Sequence, residues 1–208
     1  MTGRATDPIG RPDEQVRVFL AILISPQARQ ALENCIERLS GLAPDGVRWV
    51  DSQGIHLTLR FLGNIPAASV DDVLAAQGAA AAACPPFSVR LSGLGMFPNR
   101  GKPRVLWAGV TEELDALGRL QQEVEFQLER ASFPRDKRPF APHLTLGRVR
   151  GRVSDRDRTK IAGAVSSVTL EETGPWLVEE SHLIRSTLTP QGAVYMSMGS
   201  ASLAPPGR

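Results

Sequence analysis

The tetrapeptide His-Leu-Thr-Leu occurs twice in this chain of 208 residues, at 56–59 and at 143–146. The chain has only three histidines, and the two copies contain two of them. Imidazole, with an unperturbed pKa of about 6.5, can both accept and donate a proton near neutral pH. The repeated motif therefore predicts two proton carriers, His56 and His143, each with a threonine hydroxyl close by.

Both motifs lie in short apolar runs that are typical of β-strands. Successive side chains of a strand point to opposite faces, so His56 and Thr58 share one face while Leu57 anchors the other. The second motif repeats this pattern with His143 and Thr145. If two halves of the chain pack about a pseudo-twofold axis, both polar faces line one cleft.

Two histidines on opposite sides of a phosphoryl group are suited to phosphoester cleavage. A neutral imidazole can take a proton from attacking water while an imidazolium protonates the departing oxygen. Threonine hydroxyls can donate hydrogen bonds to the phosphate oxygens. This chemistry requires no cofactor. Ligand pairs such as H-x₃-H or CxxC are absent from the sequence, so we also predict no metal site.

Basic residues cluster around the second motif. The formal net charge of the chain is only +2, yet residues 129–152 contain seven basic side chains and two acidic ones. The segment 99–104 adds three more positive charges. A cationic surface beside a candidate catalytic strand indicates a substrate that carries phosphate.

The elements that must position the two motifs are also repeated. A strand, a helix and a motif strand are predicted at 16–24, 26–41 and 55–62, and again at 104–110, 112–131 and 142–149. A duplicated unit is the simplest explanation for the two tetrapeptides. Further strands are predicted at 47–50, 87–94, 168–170, 176–188 and 193–198, and further helices at 66–83 and 154–165. A turn at 189–192 predicts a hairpin between the last two strands.

These elements predict an α+β fold that is bilobal, with two pseudo-symmetric antiparallel sheets and flanking helices around a central cleft. We expect a single domain over residues 16–200, with flexible tails at 1–15 and 201–208. The first tail lacks the apolar core of a signal peptide, and no apolar run approaches the roughly 20 residues that span a bilayer. A cytoplasmic protein without a membrane partner is therefore expected. The two cysteines are predicted to be buried free thiols.

The chain resembles the two-histidine phosphoesterase superfamily, which is defined by two His-x-Thr/Ser-x motifs. The closer resemblance is to its RNA 2′,3′-cyclic phosphodiesterase branch, historically called 2′-5′ RNA ligase. The similarity extends over about residues 16 to 200 and is carried by 16–22, 47–50, 56–63, 91–98, 103–107 and 139–149.

The resemblance implies metal-independent opening of a terminal 2′,3′-cyclic phosphate to a 2′-phosphomonoester, with joining or cleavage of 2′-5′ linkages as a side activity. The implied partners are RNA ends or nucleotides bearing a 2′,3′-cyclic phosphate, and a monomer is expected. It further implies that His56 is the proton donor to the leaving 3′ oxygen and that His143 is the proton acceptor. Thr58, Thr145 and Arg148 are the implied phosphate contacts.

Arg60 and Phe140 join Arg148 as further candidates for substrate binding. Simple alternation points Arg148 away from the polar face, so it reaches the cleft only if the strand twists or bulges, for example at Gly147. Arg60 follows the first motif on its polar face and either contacts substrate or remains a solvated arginine. Phe140 is the aromatic residue best placed to stack on a nucleobase. The other aromatic candidates are Trp49, Phe61 and Tyr195, and core packing is the stronger expectation for all four.

Two alternatives stay open at this point. The chain could be a binding module that grips nucleotides or RNA ends without turnover. It could also be a two-histidine enzyme for another small substrate, such as a cyclic nucleotide or ADP-ribose cyclic phosphate.

Overall fold

The computed structural model describes residues 14–43, 45–99, 101–190 and 192–204. Within these residues the chain forms nine strands and four α-helices. The strands are β1 (Gln15–Leu23), β2 (Val47–Trp49), β3 (His56–Pro66), β4 (Phe87–Phe97), β5 (Val105–Glu112), β6 (Leu144–Val149), β7 (Trp176–Val178), β8 (Glu180–Leu188) and β9 (Ala193–Ser202). The helices are α1 (Pro26–Leu42), α2 (Val70–Ala82), α3 (Leu114–Arg130) and α4 (Asp155–Ser167).

The first and last helices begin at serine caps. The Ser25 hydroxyl accepts a hydrogen bond from the backbone N–H of Ala28, at 3.1 Å, and Pro26 occupies the first helical position. The Ser154 hydroxyl accepts in the same way from the N–H of Asp157. These contacts satisfy backbone donors that a helix N-terminus otherwise leaves unpaired, so the caps determine where both helices start.

The described strands form one antiparallel sheet in the order β7-β4-β5-β6-β3-β1-β8-β9, and β2 pairs with β6. The two motif strands, β3 and β6, meet at its centre through the single pair Leu57–Leu144. These leucines are the second residues of the two motifs, and both are 0% exposed. The pseudo-twofold axis therefore passes between them.

The two halves of the sheet correspond strand by strand. The order β3-β1-β8-β9 in the first half matches β6-β5-β4-β7 in the second. In each half one helix follows the inner strand and another follows the motif strand. The predicted α+β fold with two pseudo-symmetric halves is confirmed, and the two expected sheets prove to be joined edge to edge.

The sheet curls so that its two ends approach each other. Glu179 alone separates β7 from β8, although β7 pairs with β4 in one half and β8 pairs with β1 in the other. Since one residue spans only about 3.5 Å, the two sheet ends must lie side by side. The predicted continuous strand 176–188 is therefore wrong: it divides where the chain crosses between halves.

A strand predicted at 168–170 is not formed. The backbone N–H of Val168 instead bonds to the carbonyl of Ala164 and caps α4. At the C-terminus β9 continues beyond the expected end at 198, and the following residue, Leu203, is 5% exposed. Part of the segment expected to be a tail thus completes the sheet. The remaining tail residues, 1–13 and 205–208, lie outside the described residues.

The core lies between one face of the sheet and the helices. Alternate residues of β1, including Val18 and Leu20, are buried there with residues from all four helices. Cys35 and Cys84 are buried free thiols, and burial raises the pKa of Cys35 to about 11. No helix within the described residues is long and apolar enough to cross a membrane.

Candidate active site

His56 and His143 are held in the same way in the two halves. The Nδ1 atom of His56 lies 2.8 Å from the carbonyl oxygen of Gly54, and that of His143 lies 2.7 Å from the carbonyl oxygen of Ala141. A carbonyl oxygen can only accept, so each Nδ1 carries the proton and donates it. The Nε2 atom of each ring is the nitrogen left to exchange protons with a substrate.

Both histidines and both motif threonines line one cavity of about 640 Å³. Strand alternation places His56, Thr58, His143 and Thr145 on the face of the sheet opposite the buried motif leucines, and residues of α3 complete one wall of the cavity. The structure thus brings the four motif residues together around one space. The predicted meeting of the two polar faces is what this fold achieves.

Aromatic rings pack against both imidazoles. Phe19 is stacked on His56 with ring centroids 4.4 Å apart, and Tyr195 meets the same ring edge-on at 5.1 Å. Phe97 meets His143 edge-on at 5.0 Å. These contacts and the carbonyl hydrogen bonds restrict both rings to a single orientation. Neither the aromatic contacts nor the carbonyl hydrogen bonds could be predicted from the sequence.

The environment of His56 favours its neutral form. Burial lowers the pKa of His56 from 6.5 to about 4. The hydrogen bond to Gly54 opposes this change, and the positive charge of a protonated His143 adds to it. His56 is therefore neutral at neutral pH, with a lone pair on Nε2.

Each motif strand has a β-bulge at the fourth residue of its motif. In β3, Thr58 lies opposite Ala21 and Arg60 lies opposite Leu20, so Leu59 is the extra residue. In β6, the same reading makes Leu146 the extra residue, between partners Trp107 and Leu106 of β5. A bulge reverses the alternation of the residues that follow it. Each motif is therefore followed by side chains on the faces opposite to those that simple alternation predicts.

The bulge in β6 brings Arg148 into the cavity. Arg148 is exposed and lines the same space as the two histidines. The preceding residue, Gly147, faces the core, where a Cβ atom would lie 2.7 Å from Val47 and 3.0 Å from Trp49. The structure has the bulge, which lies one residue before the suggested Gly147.

The bulge in β3 has the opposite consequence for Arg60. Arg60 lies opposite the core residue Leu20 and is 9% exposed, so the inference that it shares the face of His56 is wrong. Its guanidinium lies 3.4 Å from Glu125 of α3 and 3.3 Å from Asp136, and it donates to the carbonyl of Pro134. Arg60 borders the cavity, but its guanidinium forms ion pairs and a hydrogen bond that hold α3 and the 134–142 connection against the motif strand.

Phe61 takes the cleft-facing position that Arg60 was expected to occupy. It lies opposite Phe19, is 37% exposed and borders the cavity. The guanidinium of Arg17 lies 4.5 Å from its ring centroid. Phe140 and Tyr195 border the cavity as well, whereas Trp49 packs over Gly147 on the other face.

The connection between α3 and β6 is stiffened by an ion pair. Arg138 donates two hydrogen bonds from Nε and Nη2 to the carboxylate of Asp136. Hydrogen bonding by Arg138 lowers the pKa of Asp136 to about 2. Asp136 also contacts Arg60, so this pair joins the connection that carries Phe140 to the first motif strand. Within the described ranges, no group of three or more His, Cys, Asp or Glu side chains could hold a metal ion.

Known proteins share both the sequence pattern and the fold. A family model described as LigT like Phosphoesterase matches twice, at residues 22–107 and 109–195, and each match contains one His-Leu-Thr-Leu motif. A protein of Archaeoglobus fulgidus named RNA 2′,3′-cyclic phosphodiesterase is 33% identical over 183 residues, which cover 88% of this chain and 98% of that protein. A Thermus thermophilus protein of the same name is 36% identical over 193 residues, covering 90% of both chains.

Solved structures agree with these matches. The crystal structure of TT0787 from Thermus thermophilus superposes with a TM-score of 0.75 at 32% identity, covering 92% of this chain and all of that one. Escherichia coli LigT in complex with 3′-AMP superposes with a TM-score of 0.68 at 25% identity, covering 91% and 99%. With the paired motifs at the centre of both halves, the chain belongs to the LigT-like phosphoesterase family.

Proposed function

We propose that this protein is an RNA 2′,3′-cyclic phosphodiesterase that opens a terminal 2′,3′-cyclic phosphate to a 2′-phosphomonoester. The observation that carries the proposal is the matched pair of imidazoles in one cavity, each with Nδ1 engaged by a backbone carbonyl and Nε2 left for a substrate. The names of the relatives support the substrate class.

In the proposed reaction, water attacks phosphorus and the bond between phosphorus and the 3′ oxygen breaks. His143 accepts the water proton at Nε2, and His56 donates a proton from Nε2 to the leaving 3′ oxygen. The hydroxyls of Thr58 and Thr145 donate to the non-bridging phosphate oxygens, whose charge grows in the transition state. Solvent then returns the proton from His143 to His56.

As the acid, His56 must be protonated when substrate is bound, although burial lowers its pKa to about 4. A phosphate anion about 4 Å away, at an effective dielectric constant of about 20, stabilises the imidazolium by about 4 kcal/mol. That energy corresponds to a rise of about three pKa units. The substrate itself thus supplies the interaction that charges His56, and proton uptake accompanies binding.

Arg148 and Phe140 complete the proposed substrate contacts. Arg148 places a positive charge on the cleft side of β6, on the same face as Thr145, where it attracts phosphate. Phe140 is half-buried and offers a ring to a nucleobase beside His143.

The same site could join RNA ends. If a 5′-hydroxyl replaces water as the nucleophile, loss of the 3′ oxygen creates a 2′-5′ linkage. We propose this ligase reaction as a side activity. We further infer a cytoplasmic monomer, in agreement with two free thiols that a reducing compartment would preserve.

Product analysis tests the proposal. A short RNA ending in a 2′,3′-cyclic phosphate is incubated with the protein, with and without a chelator, and the product is identified by chromatography against 2′- and 3′-phosphate standards. We expect the 2′-phosphate in both samples and no product with the His143→Ala variant. Binding without turnover would favour a binding module, and turnover restricted to non-RNA cyclic phosphates would favour the other two-histidine enzymes.

A further inference from the structure

A second arginine points to the same side of the sheet as Arg148. In the pairing of β2 with β6, Arg48 lies directly opposite Arg148. Residues directly opposite each other in an antiparallel pair project from the same face. The neighbours of Arg48 in β2, Val47 and Trp49, pack over Gly147 on the core side. The register and this packing both place Arg48 on the cleft side.

The side chain of Arg48 extends towards the turn between β8 and β9. Its Nη2 atom lies 3.5 Å from the position that a Cβ atom on Gly192 would occupy, in the turn between β8 and β9. The next residue, Ala193, lines the cavity, as does Arg148. Arg48 therefore lies where the second half of the sheet meets the hairpin of the first half.

The two guanidinium groups have no charge partner in the described part of the chain. Neither Arg48 nor Arg148 forms an ion pair or a side-chain hydrogen bond there, and both are exposed. Arg90, by contrast, bonds Glu112 at 2.7 Å. Like charges directly opposite each other destabilise a strand pair. An anion between them removes this repulsion, and arginine binds phosphate through two parallel hydrogen bonds.

The position of this pair matches a substrate longer than one nucleotide. After the bulge is counted, Arg148 lies two strand positions beyond Thr145 on the same face, about 7 Å along β6. Thr145 is the proposed contact of the reacting phosphate. The pair therefore lies about one nucleotide step along β6 from the proposed position of the reacting phosphorus.

We propose that Arg48 and Arg148 together bind the phosphodiester that precedes the terminal nucleotide of an RNA strand. The inference rests on the proposed function and extends it, because it makes the enzyme selective for RNA ends over free nucleoside 2′,3′-cyclic phosphates. Arg48 has no other proposed contact with the substrate, whereas Arg148 is also a proposed contact of the terminal nucleotide.

The test compares Arg48→Ala with the wild type on two substrates. One is a short oligoribonucleotide ending in a 2′,3′-cyclic phosphate, and the other is a nucleoside 2′,3′-cyclic phosphate, which has no second phosphate. For the oligonucleotide we expect KM to rise roughly tenfold with little change in kcat, since a charged hydrogen bond is lost. For the nucleoside substrate kcat/KM should change by less than about twofold.

Two further measurements sharpen this test. The slope of log KM against log salt for the oligonucleotide should become shallower by about 0.7 in Arg48→Ala, because one phosphate contact is lost. Arg156→Ala is the matched control: Arg156 is an exposed arginine of α4 that does not pair with Arg148 in the sheet, and its removal should leave both KM and the slope unchanged.

The outcomes separate this inference from the proposed function. If the wild type turns over neither substrate, the proposed function fails. If it turns over both, and Arg48→Ala changes neither KM nor the salt slope, or affects the two substrates equally, the second phosphate site is refuted. Arg48→Glu should raise the KM for the oligonucleotide further, and a smaller effect than that of Arg48→Ala would also contradict the inference.

Discussion

After their matching bulges, β3 continues with Arg60 and Phe61, whereas β6 continues with Gly147 and Arg148. In each pair the first residue faces the core and the second faces the cleft. The first half therefore places a buried cation against α3 and an aromatic ring in the cleft. In the second half, Gly147 leaves room in the core for Val47 and Trp49, and Arg148 places a cation in the cleft.

This difference makes the two sides of the cleft unequal, although the two histidines and the two motif threonines are arranged symmetrically. Near His56 the aromatic neighbours are Phe19, Phe61 and Tyr195, and the guanidinium of Arg17 is stacked on Phe61. Near His143 they are Phe97 and Phe140, and β6 continues to the exposed Arg148, which has no ion pair among the described residues. A symmetric site could bind a phosphodiester in either direction. Unequal flanks allow the two histidines to take different parts in the reaction, although their backbone settings are the same.

The largest expected effect is loss of catalysis on replacing either histidine. His56→Ala and His143→Ala should each lower kcat/KM for cyclic-phosphate RNA by about 10²–10⁴-fold, the usual contribution of general acid–base catalysis. A phosphodiester with a p-nitrophenolate leaving group separates the roles, because that group departs without a proton. His56→Ala should retain most of the wild-type rate on it and His143→Ala should not.

Circular dichroism provides the control that both variants are folded. The reverse pattern, in which His143→Ala retains activity on the p-nitrophenyl substrate, would exchange the acid and base assignments. Equal losses on that substrate would mean that the two sides of the cleft are not functionally distinct.

The next effect separates two arginines that follow equivalent bulges. Arg60→Met should lower the free energy of unfolding by about 3 kcal/mol, because Glu125 then remains as a buried charge that has hydrogen bonds from Gln121 and Asp136 but no cation beside it. In a protein of this size the Tm should fall by about 6–12 °C. Arg148→Met should change stability by less than about 0.5 kcal/mol and lower activity instead.

Thermal unfolding of both variants, measured with kcat/KM, checks this contrast. The double variant with Arg60→Met and Glu125→Met is the matched control and should recover much of the lost stability, because no unpaired charge is left. Equal shifts in Tm for Arg60→Met and Arg148→Met would show that the two bulges do not place these arginines in different environments.

The smallest effect concerns His56 and the aromatic rings that pack against it. Folding lowers the pKa of His56 to about 4, so between that pH and about 6.5 the unfolded chain binds a proton that the folded chain does not. The free energy of unfolding should therefore decrease as the pH falls from 6.5 to 4, by about 2 kcal/mol after allowance for solvent screening. His56→Gln should lack this contribution.

Urea unfolding of the wild type and of His56→Gln across this pH range measures the difference. Tyr195→Ala sharpens it: removing this partly exposed ring admits water, so the pKa of His56, followed by NMR, should rise towards 6.5. Parallel pH profiles for the wild type and His56→Gln would contradict the assignment of a neutral, desolvated His56.

Much of the site could be predicted from the sequence, up to the position of each bulge. The motif spacing correctly joined His56 and Thr58 with His143 and Thr145 on one cavity, because strand alternation is a local property. Strand alternation predicted the wrong face for Arg60, because the extra residue Leu59 shifts the following side chains to the other face. Nothing in the sequence marks this bulge. At Arg148 the same problem was anticipated, since Gly147 signals a possible irregularity.

Other features depend on contacts between distant parts of the chain. The break at Glu179 follows from β7 and β8 pairing with strands in different halves, which no local pattern encodes. The role of Arg60 depends on Glu125 and Asp136, which are more than sixty positions away. Sequence patterns predicted the duplicated units well, and they could not predict how side chains of one unit contact the other.

The hydrogen bonds from Nδ1 of His56 and His143 end on main-chain oxygens, those of Gly54 and Ala141. Every residue type has such an oxygen, so no single substitution can delete either acceptor. The backbone conformation therefore determines that the proton lies on Nδ1. In other enzymes a carboxylate side chain orients the imidazole instead. Substitutions at Gly54 and Ala141 can therefore leave the same ring nitrogen facing the cavity.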